Sequence, residues 1–400
     1  MKKLVSLLLA VVMLLGVMSF ANAEETYRIA MITDYGDITD QSFNQTTWEA
    51  VVKFGTDNGI DYKYFKPDTN DTAGRVAKVE LAIADGYNVI VMPGYAFGGT
   101  IAEISGEYPE VKFIALDVAK GDLLEGGVPL AGQAYDYNPD NWNLNEFVYM
   151  DNVYSAIYQE ELCGYMAGYA AVKLGYTELG FLGGMAVPAV IRYGYGFVQG
   201  CDAAAKELGI NANVKYVYGN QFFGDADITA YMDNWYQNGT QIVFACGGGI
   251  YTSAVDAAKK VEGAKVIGVD VDQAAIITNY AAGEGASEEE LAKWADLTVT
   301  SAMKGLAPTT IDTLTDVVLN GNWANYAGRI DNLGLVSGED VTLNYVQIAG
   351  TTQFEDGKFT ADDYLALVKG MVEGTITVSN DIAAEPAVTN LTVEYLGNIK

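Results

Sequence analysis

The chain contains no histidine in 400 residues. That absence removes Ser-His-Asp and Cys-His nucleophilic chemistry and His-ligated zinc. Cysteine is almost missing as well. Cys163, Cys201 and Cys246 are odd in number and widely spaced, which makes no disulfide framework. Their apolar neighbours read as surroundings for buried free thiols. Positive charge is scarce: 23 Lys and Arg face 52 Asp and Glu, for a net charge of −29. So acidic a surface repels nucleic acid and anionic lipid, and it favours a neutral or cationic ligand over a phosphate ester. Only 8 prolines accompany 44 glycines, a balance that suits tight strand-to-helix connections rather than disorder.

Long hydrophobic runs are confined to the beginning. Lys2 and Lys3 precede an apolar stretch from Leu4 to Met18, and Ala21-Asn22-Ala23 has the A-x-A pattern of a cleavage site. Residues 1–23 therefore read as a secretory signal peptide, whose removal takes the charge from −29 to −31. No cysteine lies at the cleavage site, so no lipid anchor is expected there. With no other run of 18 apolar residues, the mature chain is expected to be soluble and extracytoplasmic, either periplasmic or at the cell surface.

The rest is organised around residues 27–45. Ile29 to Ile32 is a short apolar strand. Three carboxylates, Asp34, Asp37 and Asp40, follow it, and Ser42 is placed to cap a helix through Trp48, Val51 and Phe54. Strands then alternate with helices: Asp61–Phe65, Val89–Met92 and Val111–Leu116 in a first series, and Leu179–Leu182, Val214–Tyr218, Ile242–Ala245 and Lys265–Val269 in a second. This alternation predicts parallel sheets with right-handed crossovers. Tyr154 to Lys173 reads as one helix, with Gly164 and Gly168 allowing close packing. In the tail, Thr298–Met303, Val341–Val346 and Thr375–Val378 read as strands, and Thr309–Leu319 and Thr360–Glu373 as helices.

The two series repeat one another. Gly86 to Gly94 and Gly239 to Gly247 are both 8 residues apart, and Gly86 to Asp117 and Gly239 to Asp270 are both 31 apart. Two similar α/β lobes follow, each ending equivalent strands with an aspartate. Strand ends in open α/β sheets face the ligand crevice. Asp34, Asp117 and Asp270 there can accept hydrogen bonds from a sugar diol or a nucleobase edge. Phe43, Phe222 and Phe223 are candidate stacking faces. Gly247-Gly248-Gly249 lacks the Lys-Ser/Thr of a phosphate loop and suits close approach of backbone to a neutral ligand. Paired carboxylates also leave a glycoside or nucleoside hydrolase as an alternative.

Several stretches resemble the basic membrane protein (BMP) family of ABC-transporter substrate-binding proteins, whose characterised members include purine nucleoside receptors. They are Ile32 to Gln45, Gly183-Gly184-Met185, Ala245 to Gly249, Val266 to Gln273 and Ser301-Ala302-Met303-Lys304. The resemblance implies a type I periplasmic-binding-protein fold, two Rossmann-like lobes joined by a multi-strand hinge and closing over one ligand. It divides the chain into lobe 1 (24–133), an inserted loop (134–153) whose Trp142 could reach the cleft rim, lobe 2 (154–304), a return to lobe 1 (305–335), and a hinge-crossing C-terminal extension (336–400). It implies a non-enzymatic monomer without cofactor or metal, partnered by a membrane permease and carrying a nucleoside. A sugar or other small polar ligand, or a sensing rather than transporting role, is the alternative. Carried over by motif, Phe43 and Phe222 would sandwich the base and Asn44 and Asp117 would read its edge. Asp270, Gly247 and Lys304 would hold the ribose, and Asp34 would line the cleft.

Overall fold

The computed structural model describes residues 26–34 and 36–400. The expected signal peptide, residues 1–23, lies outside them. In chain order the strands are β1 Ile29–Ile32, β2 Tyr62–Phe65, β3 Val89–Pro93, β4 Lys112–Leu116, β5 Val153–Tyr158, β6 Glu178–Gly183, β7 Ala212–Tyr218, β8 Ile242–Cys246, β9 Lys265–Asp270, β10 Thr298–Lys304, β11 Ile330–Leu333, β12 Val346–Ile348 and β13 Leu391–Asn398. They form two sheets, ordered β11-β5-β4-β3-β1-β2 and β12-β10-β9-β8-β6-β7-β13. Among the described strand pairings only β10–β12 is antiparallel. Strands β1, β3, β4 and β8 are buried along their whole length, as expected where helices cover both faces of a parallel sheet.

The repeat seen in sequence is a repeat of topology. The first five strands of each lobe run in the order second, first, third, fourth, fifth. The order reverses between β1 and β3 in one lobe and between β6 and β8 in the other, and ligand crevices open at such reversals. The architecture is thus α/β with two Rossmann-like lobes. The chain passes between sheets three times: from Tyr158 to the helix Glu160–Lys173, from Lys304 to the helix Leu306–Leu314, and from β11 to β12.

Helix Glu160–Lys173 lies close against helix Pro188–Leu208. A Cβ on Gly164 would meet the Tyr193 carbonyl at 2.2 Å, and one on Gly196 would meet the Glu161 carbonyl at 2.1 Å. This intimate pair holds Glu160, Arg192 and Tyr193 beside the inter-lobe space.

Four local expectations are corrected. Tyr154 to Lys173 is not one helix, because Val153–Tyr158 is strand β5 of the first sheet and the helix starts at Glu160. No Gly or Pro separates the two apolar stretches, and Gln159-Glu160-Glu161 between them also suits a helix interior, so the change of period has no strong punctuation. Val341–Val346 is a 3-10 turn at Val341–Leu343 followed by the short β12. Thr375–Val378 is not a strand, and the last strand is β13, which adds to the free edge of β7. Trp142 packs on Tyr135 and Phe147 and donates to Asp136 at 2.6 Å within the insert, and it does not line the cleft.

Candidate functional site: the cleft between the lobes

The C-terminal strand ends of the two sheets enclose a cleft of about 800 Å³, counting its open mouth. All eight residues that the family resemblance assigns to the ligand lie on its wall. The first lobe supplies Asp34, Phe43, Asn44 and Asp117. The second supplies Phe222, Gly247, Asp270 and Lys304. Asp117 and Asp270 follow or end equivalent strands and share an uncommon backbone, with φ of 60° and 65°. Left-handed conformation is costly for a residue with a Cβ, and such outliers gather where a side chain must be aimed.

A buried ion network closes one end. The Lys304 ammonium donates to Asp117 and lies 3.4 Å from Glu160 and 3.7 Å from Asp270. Arg192 donates to the other oxygen of Glu160 at 2.6 Å. Burial alone would lower the Lys304 pKa, but Asp117, Asp270 and Glu160 outweigh it and hold the lysine charged. For Asp117 burial is the larger effect. Its carboxyl sits well above the usual range despite Lys304, with Glu160 adding to the rise. Asp122, also on the wall, is pushed up to about 7 by burial. Lys304 additionally lies 4.7 Å from the Phe43 ring centre.

The start of helix Phe43–Asn58 differs from the sequence expectation. Ser42 occupies the cap position, but its hydroxyl caps nothing. It donates across the cleft to Asp270 at 2.6 Å. Asp40 does the capping, accepting from the backbone N–H groups of Ser42, Asn44 and Gln45, each at 3.0 Å. A second bond joins the lobes where Gln273 donates to the Gln41 carbonyl at 3.1 Å. Asp270 also accepts from Tyr193 at 3.4 Å, so each of its oxygens already has one partner and retains one lone pair.

Phe222 and Phe223 separate cleanly. Phe222 lines the cleft, while Phe223 is 61% exposed. The glycines explain the seat of the Phe222 ring. A Cβ on Gly184 would come within 2.5 Å of it, and one on Gly247 within 2.9 Å. Gly247 also has a φ of 147°, which a residue with a side chain rarely adopts. Its counterpart Gly94, with φ 126°, clears space for Asp34 in the first lobe in the same way.

The sequence marked Asp40 only as one of three loop carboxylates, and it did not single out Asp122, Glu160, Arg192 or Tyr193. Glu160 and Arg192 carried one signal, charged side chains embedded in apolar helical stretches. Among the described residues no group of His, Cys, Asp and Glu is arranged to hold a metal ion, and no helix is long and apolar enough to cross a membrane.

Comparison with known proteins fits this geometry. The Bmp family, described as ABC transporter substrate-binding protein PnrA-like, matches residues 27–315. The chain belongs to this family. It is 26% identical over 258 residues to the ABC transporter nucleoside-binding protein BmpA of Lactococcus lactis, a match covering 62% of this chain and 64% of that one. It therefore spans a little under two thirds of that relative's length. Basic membrane protein D of Borreliella burgdorferi is 26% identical over 332 residues, 81% of this chain and 83% of the relative. The solute-binding protein of an ABC transporter system from Aeropyrum pernix superposes with a TM-score of 0.61 at 18% identity, over 88% of this chain and 87% of that one. That from Conexibacter woesei gives 0.59 at 20% identity, over 88% and 99%. These two show the type I periplasmic-binding fold. The family and these neighbours are substrate-binding proteins rather than enzymes, so the hydrolase alternative has no support.

Proposed function

We propose that the protein is the extracytoplasmic binding component of an ABC importer and captures a nucleoside, a purine nucleoside in particular, between its lobes. The observation that carries this reading is one cleft wall that combines Phe43 and Phe222, from opposite lobes, with strand-end acceptors. Aromatic faces suit a flat base, and carboxylates suit its N–H edge and the ribose hydroxyls. The charge of the cleft agrees. Asp34, Asp40, Asp117, Asp122 and Asp270 line the cleft beside two cations, Lys304 and Arg192, and both cations are already paired, each with Glu160 and Lys304 also with Asp117. A phosphate ester would enter a field of its own sign, so the ligand is a nucleoside rather than a nucleotide. In this reading Phe43 and Phe222 sandwich the base, Asn44 and Asp117 meet its edge, Asp270 and Lys304 meet the ribose, and Asp34 completes the wall beside Asn44. Gly247 serves chiefly by leaving room for Phe222. The partner is a membrane permease, and the protein acts as a monomer.

Titrating the purified protein calorimetrically with guanosine, adenosine, inosine, cytidine and free ribose tests the reading. Purine nucleosides are expected to bind one per chain. Silence from every nucleoside would remove the proposal. Ribose binding more tightly than its nucleosides would favour a sugar-binding protein of the same fold.

A further inference from the structure

The family match ends at residue 315, and the last strand of the second sheet lies well beyond it. That strand, β13, runs parallel to β7, from Leu391 opposite Ala212 to Asn398 opposite Tyr218, and covers the edge that β7 would otherwise leave open. Where it ends, the Ile399 N–H donates to the Tyr218 carbonyl at 2.8 Å, and the Lys400 ammonium donates to Asp225. Tyr218 and Asp225 bracket the loop that carries Phe222. The loop is tied internally at the same carboxylate. Oδ2 of Asp225, the oxygen that Lys400 meets, also accepts from Gln221 Nε2 at 2.8 Å, and that amide donates in turn to the Phe223 carbonyl at 2.9 Å. The Gln221 side chain thus spans Phe222. Oδ1 accepts from the backbone N–H groups of Asp227 and Ile228, each at 3.0 Å, and caps the helix Ala226–Gln237.

From the other direction the loop leans on the glycine turn of the cleft, where the Gly249 N–H donates to the Phe222 carbonyl at 2.9 Å. The backbone at Phe222 is therefore held twice, once from the cleft and once from the outer edge of the sheet. Gln221, Asp225 and Lys400 are not among the residues that line the cleft. A part-buried lysine–aspartate pair is worth little by itself. Here it shares its carboxylate oxygen with the bridge over Phe222, so its loss reaches the ring. We infer that β13 is a positioning strap: Lys400, acting through Asp225 and Gln221, sets where the Phe222 ring stands and so tunes the grip on the base from outside the cleft. The inference rests on the nucleoside reading for what Phe222 grips, and on the strand alone for how the loop is held.

Two measurements on the full chain test it. The first is amide hydrogen exchange of the ligand-free protein, unaltered and as Lys400→Glu. Exchange across residues 220–225 should quicken in the variant, while that of the helix Phe43–Asn58 stays the same. The second is calorimetric titration with guanosine. Lys400→Glu should weaken binding by about three- to fivefold, the upper range for such a pair. The same substitution should cost nothing further in the Phe222→Ala protein, because only the ring carries the effect to the ligand. A merely structural role predicts equal losses in the two backgrounds. Equal losses, unchanged guanosine affinity in Lys400→Glu, or unchanged exchange across residues 220–225 would each overturn the strap and leave the nucleoside reading intact. Quickened exchange in a protein that binds no guanosine would overturn the nucleoside reading and leave the strap supported.

Discussion

Asp40 and Ser42 show how two neighbouring polar residues divide between stability and closure. The sequence favoured Ser42 as the helix cap, since serine stands directly before the helical run. The structure gives that task to Asp40, whose carboxylate reaches three backbone N–H groups, and frees the Ser42 hydroxyl for Asp270 in the other lobe. Asp40→Ala should therefore lower the stability of the ligand-free protein by about 1–2 kcal/mol in a urea titration. Ser42→Ala should leave that transition nearly unmoved, because opening the cleft returns Asp270 to water. It should instead weaken ligand binding several-fold by disfavouring the closed form. At this scale the cleft residues at strand ends were legible from sequence, since a strand-terminal aspartate after an apolar run marks a sheet edge. Glu160, Arg192 and Tyr193 were not, because their place beside the cleft depends on how two helices pack; a charge in an apolar helical stretch marks Glu160 and Arg192 as unusual without saying what they face.

The elements repeat, and the repeat was readable because the spacing from glycine to aspartate is kept over two strands and the helix between them. The structure carries it further, to the paired left-handed aspartates and to Gly94 and Gly247 after the third strand of each lobe. Gly247 seats Phe222. Gly247→Ala adds a Cβ 2.9 Å from the Phe222 ring and 3.1 Å from the Gly184 Cα, on a backbone with φ of 147°. The expected outcome is a loss of about 1–3 kcal/mol in stability from the strained backbone, together with weaker ligand binding, read by denaturation and titration of the same preparation. Two elements escaped sequence reading for physical reasons. Strand β5 runs into the following helix with no Gly or Pro between them. Strand β13 alternates only partly and owes its existence to the edge of β7, an edge no local window reveals.

At the scale of the whole molecule the excess of acid governs how stability depends on pH. Burial pushes Asp122 and Glu161 up to about 7, against about 4 for such groups in an unfolded chain. The folded state thus holds those protons more tightly. Their contribution is complete below about pH 4, declines as pH rises toward about 7, and is gone above it. Protonation also relieves repulsion within a chain of net charge −29. A part-buried cap acts oppositely but lower down. Asp225 is held to about 2, first by the backbone N–H of Ile228 and then by Lys400, so its contribution is lost only as pH falls below about 4. The melting temperature should accordingly rise from pH 7.5 to pH 5, and a steady fall over that interval would count against these burial effects. The central claim is that both lobes grip one nucleoside, and it predicts that an aromatic ring from each is needed. Guanosine binding measured calorimetrically for the unaltered protein, Phe43→Ala, Phe222→Ala and Phe223→Ala tests it most directly. Base stacking on an aromatic is worth about 1–3 kcal/mol, so the first two variants should each bind at least about fivefold more weakly, while Phe223→Ala matches the unaltered protein. Unchanged affinity in either Phe43→Ala or Phe222→Ala would contradict a ligand held between the two lobes.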